Sequence, residues 1–160
     1  FVEKKIVILK IVMKEYYIYW FIGQPGAGKT TLAKKLQFWL QTDKANWRKS
    51  VFHIDESQIY ELYDIDINSP LEQKQVHTIC ETIASFANLT NHDVVISTTS
   101  PYRDIRESFK KRYKVKEIYC HNKKVKDKLA FFEPPQQFFI DLDTTASSDD
   151  TFKKLIKILI

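Results

Sequence analysis

Glycine is nearly missing from this chain. Only three occur in 160 residues, at positions 23, 26 and 28. A chain that otherwise avoids glycine places it where backbone must turn tightly or come close to a ligand. Cysteine is scarce too, with Cys80 and Cys120 far apart and no second Cys or His at metal-ligand spacing. That argues against a disulfide scaffold and a zinc module, and the expectation is two buried, reduced thiols in a cytoplasmic protein. No apolar run reaches the ~20 residues needed to span a bilayer. The only methionine is Met13. Residues 1–12, FVEKKIVILKIV, are expected to be an extension or appended segment ahead of a single domain over 13–160, or else an extra edge strand. They are too charged for a signal-peptide core.

What is present reads as one globular domain. Hydrophobic residues make up 44% and the net charge is +5. The positive balance suits an anionic partner without choosing among nucleotides, sulfate esters, nucleic acid and lipid headgroups. Strand and helix patterns alternate. Strands are expected at Tyr17–Ile22, Val51–Ile54, Val94–Ile96, Val115–Cys120 and Phe138–Leu142. Helices are expected from Gly28 to about Gln41, from Pro70 to about Asn88, over Arg103–Arg112, and from a Ser147 or Ser148 cap to Leu159. Leu32, Leu36 and Leu40 share one face of the first helix. Val76, Ile79, Cys80, Ile83 and Ala87 have helical spacing in the second. The alternation predicts an α/β fold, a parallel sheet with helices on both sides, whose ligands bind beyond the carboxyl ends of the strands. Trp20, Phe21, Phe38, Trp39 and Phe52 are expected in the core. Asn122–Gln137, with Pro134 and Pro135, is the least regular stretch and a candidate mobile loop.

The three glycines sit in Gly23-Gln24-Pro25-Gly26-Ala27-Gly28-Lys29-Thr30, followed by Thr31. The pattern is glycine, four residues, then Gly-Lys-Thr, between an apolar strand and a helix. Such a loop turns successive backbone N–H groups inward as an anion nest. The helix that follows aims its positive end at the same point. Gly23, Gly26, Ala27, Gly28, Lys29, Thr30 and Thr31 are therefore the expected cradle for ATP. Lys29 would neutralise the β and γ phosphates, and Thr30 would offer its hydroxyl to Mg²⁺. No guanine-reading Asn-Lys-x-Asp pattern follows the fourth strand, since His121–Lys124 reads HNKK.

A carboxylate should stand beside the metal. Asp55 in His53–Tyr60, HIDESQIY, ends the second strand at the ligand edge. It is expected to hold Mg²⁺ or to receive the acceptor's proton, the alternative being that it caps the next helix. Glu56 is adjacent and points differently. Asp93 precedes its strand, at the wrong end for a metal, and reads as a turn residue. In Ser100–Lys114, SPYRDIRESFKKRYK, Arg103 and Arg106 lie one helical turn apart and are able to meet one anionic group. Arg103 opens the helix at the ligand edge and is the expected catalytic arginine. Arg106, Lys110 and Lys111 fit a solvated basic face equally well.

GQPGAGKTTLAKKL, HIDESQI, TTSPYRDIR, EPP and DLDTTASSDDTFKKLIKIL occur in the order found in adenylylsulfate kinases, and the chain resembles that family from about Tyr17 to Leu159. The resemblance implies a three-layer sandwich around a parallel, roughly five-stranded phosphate-loop kinase sheet. It implies transfer of the ATP γ-phosphate to the 3′-hydroxyl of adenylylsulfate, with Mg²⁺, and commonly a homodimer. It also implies that a Phe near the lid stacks on a base, with Phe131, Phe132 and Phe138 as candidates against ordinary packing. The chain departs from the family where the acceptor binds. Ser57 and Tyr60 replace an aspartate and an arginine, and Gln73 and His77 stand where arginines are expected. The lid is shortened to NKKVKDKLAFF, whose Lys123, Lys124, Lys126 and Lys128 serve a rudimentary lid or a solvated face. The expectation is a kinase acting on adenylylsulfate or a related small acceptor. The alternatives are a non-catalytic ATP-binding sensor and a kinase for another acceptor, a nucleoside, a sugar or a nucleic-acid end. The segment Arg103–Lys128 is strongly basic, but its aromatic interleaving is thin for single-strand stacking, which argues against nucleic acid.

Overall fold

Five strands run parallel in one sheet in the order β2-β3-β1-β4-β5. The computed structural model describes residues 15–42, 50–66, 68–126 and 131–160. The strands are β1 Ile18–Ile22, β2 Val51–Asp55, β3 Asp93–Ser97, β4 Val115–His121 and β5 Phe139–Asp143. The helices are α1 Lys29–Thr42, α2 Glu56–Tyr63, α3 Pro70–Leu89, α4 Arg103–Arg112 and α5 Ser148–Leu159. The expected extension at 1–12, Met13 and Lys128 lie outside the described residues. No described helix is long and apolar enough to cross a membrane.

β1 is central and buried along its whole length. Its side chains alternate between two cores, as period-two geometry demands. Tyr19 and Phe21 join Leu32, Leu36, Leu40 and Leu155 on the face covered by α1 and α5. Ile18, Trp20 and Ile22 join Val76, Cys80 and Phe109 on the face covered by α3 and α4. Cys80 and Cys120 are both free and buried, and burial pushes each thiol up to about 12. Both are inert apolar filler at neutral pH.

Several expectations need correction. Phe38 and Phe52 are exposed rather than core residues, Phe38 on the outer side of α1 and Phe52 on the edge strand β2, where it packs edge-on to His92. On α3, His77 and Ala84 are buried, and Ile83 faces out. Asp93 is no turn residue. It is the first residue of β3, fully buried, and its Oδ1 accepts a bond from Tyr17 N at 2.9 Å, tying the start of β1 to β3.

Arg106 belongs to no solvated face and meets no anion beside Arg103. It is fully buried, and its Nε donates to Glu117 Oε1 on β4 at 2.8 Å. Its remaining nitrogens donate to Ser100 O and Glu133 O. Lys110 Nζ closes on the other Glu117 oxygen and on Gln137 O. One guanidinium thus joins α4, β4, the loop after β3 and the segment before β5. Removing one member of such a pair strands a buried charge, whereas replacing both with apolar groups need not. Arg106→Met is expected to cost about 3–5 kcal/mol in urea unfolding, and Arg106→Met with Glu117→Leu to recover most of that loss.

Candidate phosphate-binding and acceptor site

The loop after β1 is shaped by close backbone approaches. Gly23 has φ +144°, and a Cβ there would lie 2.1 Å from Cys120 O of β4. No L side chain fits. Gly26 and Gly28 also have positive φ, +79° and +82°. Between them Ala27 N donates to Gln24 O at 3.2 Å. The loop is braced from behind by the segment joining β5 to α5. Thr144 Oγ1 donates to Ala27 O at 2.9 Å, Thr144 N donates to His121 O, and Asn122 Nδ2 donates to Thr144 O. Ala27 is itself buried. The fold therefore fixes the loop before any ligand arrives.

Lys29 opens α1, is nearly buried, and its Nζ donates to Gln24 O at 2.9 Å. Burial pushes its ammonium below the usual lysine range, and Glu56, Cys120 and Asp55 pull the other way. Thr30 is hydrogen-bonded to the Asp55 carboxylate. Lys29, Thr30 and Asp55, three of the residues singled out by sequence, thus converge.

Asp55 also caps α2, as its alternative reading had it. Its Oδ1 accepts from Ser57 N at 3.1 Å and from Ser57 Oγ at 2.8 Å. Burial pushes its carboxyl up, but the bonds from Ser57 and Thr30, aided by His53, bring it below the ordinary aspartate value. Ser57, placed where the related kinases carry a second aspartate, therefore serves the first.

Arg103 stands apart from this group. Its backbone N donates to Glu133 Oε2 at 2.9 Å, and its guanidinium reaches Glu133 Oε1 and Pro134 O. It lines a separate surface hollow with Phe131 and Gln136. Phe131 packs against Tyr102 and Phe132 stacks on Tyr119, while Phe138 is exposed. The EPP segment is tied back to the loop after β3, since Glu133 N donates to Pro101 O at 3.0 Å.

Two features escape the sequence. The first is a cleft beside the phosphate loop, walled in part by Glu56, Tyr60, Gln73, His77, Thr99 and Ser100. Glu56 accepts from Thr99 Oγ1 at 2.6 Å, and burial pushes its carboxyl up against the pull of Lys29. The second is a small pocket on the other side of the loop, between Gly28, Thr31, Thr144 and Thr151. Thr151 Oγ1 is buried there without a hydrogen-bond partner among the described residues. Neither leaves a local pattern, because each is assembled from distant elements.

The model of the adenylylsulphate kinase family matches residues 15–128. No curated protein matches the chain. Solved structures with the same fold include APE1195, 21% identical with TM-score 0.73, covering 92% of this chain and 96% of that one. They include the Mycobacterium tuberculosis APS kinase in complex with AMPPNP and APS, 16% identical with TM-score 0.70, covering 91% and 98%. They also include a sugar kinase from Janibacter sp., 11% identical with TM-score 0.64, covering 91% and 95%.

The lowered Asp55 pKa carries a sign. Such a group adds stability above its unfolded pKa and loses it as the pH falls through the folded value. Asp55→Ala is expected to cost about 1 kcal/mol at neutral pH through the lost cap. That difference should shrink as the pH falls from about 5 towards about 2, in urea unfolding at stepped pH.

Proposed function

The chain belongs to the adenylylsulphate kinase family, and from that premise we propose that it transfers the γ-phosphate of ATP, with Mg²⁺, to a hydroxyl of a small acceptor held in the cleft lined by Glu56. The observation that carries this reading is the buried Lys29 at the mouth of a loop whose backbone is locked by Cys120 and Thr144.

The loop amides and the α1 N-terminus receive the β and γ phosphates. Lys29 neutralises the charge that builds between them during transfer. The pocket of Gly28, Thr31, Thr144 and Thr151 takes the nucleoside end, offering Thr151 Oγ1 as a polar contact. Thr30 and Asp55 suit a magnesium ion. They present adjacent oxygen donors, and the described residues hold no cluster of three or more His, Cys, Asp or Glu. Few protein ligands suit an ion that keeps several waters and binds substrate phosphates. When bound it supplies charge neutralisation at the phosphates.

The acceptor oxygen forms its bond to the γ-phosphorus as the bond from that phosphorus to the β–γ bridging oxygen breaks. The electron pair leaves with ADP, and the hydroxyl proton passes to solvent. The Asp55 carboxylate, bonded by Ser57 and Thr30, is left to the metal. Arg103 takes a positioning role, holding Glu133 and the EPP segment over the loop after β3.

The test is labelled ATP and Mg²⁺ with adenylylsulfate, nucleosides, sugars and an oligonucleotide. Transfer to a small acceptor is expected, falling at least about 100-fold in Lys29→Ala. Tight ATP binding with no transfer to any acceptor would overturn this reading in favour of a nucleotide sensor.

A further inference from the structure

The cleft beside the phosphate loop offers an anion no cation among its described walls. Among the described residues no Lys or Arg lines it, and its one ionisable acid is Glu56. Lys29, the cation within reach of Glu56, is held by the phosphate loop through Gln24 O, and the others nearby are engaged elsewhere. Arg106 is buried on Glu117, Ser100 O and Glu133 O. Arg103 is drawn to Glu133 and Pro134. Lys74 lies over the ring of Tyr102. A phosphate or sulfate here would find no guanidinium fork among the described walls to receive it.

The polar groups that are present suit hydroxyls. Glu56 accepts from Thr99 Oγ1 and the Thr99 amide and keeps lone pairs for more. Tyr60 is pushed up by burial and keeps its phenolic proton, a donor. His77 is 3% exposed and packs its ring on Trp20. Its Nε2 lies 3.1 Å from Glu81 Oε1, so Nε2 carries the proton that bond needs. Its Nδ1 is buried with no partner among the described residues. A buried, unanswered imidazole nitrogen costs free energy unless a ligand meets it.

We infer that the acceptor is an uncharged hydroxyl compound, of the nucleoside, sugar or polyol class, whose hydroxyls bond Glu56, Tyr60 and His77 Nδ1. The inference rests on the kinase reading for the phosphate side and on the cleft walls for the acceptor side.

Matched pairs test it: adenosine with adenosine 5′-phosphate, ribose with ribose 5-phosphate, glucose with glucose 6-phosphate, and adenylylsulfate beside them. Each is titrated by calorimetry into the full chain with Mg²⁺ and a non-hydrolysable ATP analogue, then assayed for transfer from labelled ATP. The uncharged member is expected to bind at least about tenfold tighter in any pair that binds, because a charge taken out of water without a partner costs more than a hydroxyl. Glu56→Ala should weaken the uncharged member about tenfold, as the loss of one hydrogen-bond partner implies, with an unchanged urea-unfolding midpoint as the measure of folding. Tighter binding of the phosphorylated member or of adenylylsulfate overturns the inference and leaves the kinase reading standing. Binding of no compound overturns it as well. Uncharged compounds bound without transfer sustain the cleft's selectivity and sink the kinase reading.

Discussion

The site depends on one close approach, the backbone of Gly23 against the carbonyl of Cys120. The 2.1 Å gap to a notional Cβ leaves the end of β1 no freedom except the one glycine allows. Because β1 and β4 are hydrogen-bonded neighbours, the sheet itself sets where the loop departs. Thr144 then fixes the loop from the far side, through Ala27 O. An anion nest is useful only if its amides are already oriented, since ordering them on binding would consume affinity. Here strand pairing and one threonine hydroxyl do that ordering within the fold.

The cleft beside the phosphate loop is held by a second constraint, the buried Arg106. Its guanidinium joins the loop after β3 to the EPP segment through two carbonyls, and Glu117 on β4 neutralises it. A lone buried cation would be untenable, and a fully bonded one rigidifies what it touches. The cleft walls Thr99 and Ser100 therefore sit on a fixed base. The cost is that Arg106, which looked free to bind a ligand, is spent on structure. Arg103 follows the same logic more weakly, since its partners are the Glu133 carboxylate and the Pro134 carbonyl of the same segment.

The phosphate loop was legible because glycine, lysine and threonine carry their chemistry in a local spacing. The five strands and four of the five helices were legible from periodicity, with boundaries off by a residue or two. Arg103–Arg112 and Ser148–Leu159 matched closely, the latter through its Ser147 cap. α2 escaped because its eight residues are too few for a period to show. The fate of Arg106 escaped because Glu117 lies on the next strand, so the helix alone reads as a basic face. Phe38 and Phe52 misled because apolarity says nothing of which side of a helix or edge strand is covered. The departures at Tyr60 and His77 were visible in the sequence. What they build, a cleft walled in part by His77, whose Nδ1 has no partner among the described residues, was not.

Asp55 and Glu56 show how one residue of chain direction divides a site. Asp55 ends β2 and turns back to Thr30 and Ser57, where hydrogen bonds hold it ionised. Glu56 begins α2 and turns to Thr99, where burial works against its charge. Adjacent carboxylates would repel if they shared a solvent-poor space, so placing them on opposite sides of a strand-to-helix turn lowers that cost. Lys29 lies within electrostatic reach of both. The ammonium is thus the hinge of the charge balance. A triphosphate drawing it towards the loop would weaken its hold on Glu56 and add to the burial that already works against that carboxyl's charge. The state of the cleft wall would then follow the occupancy of the loop through a single side chain.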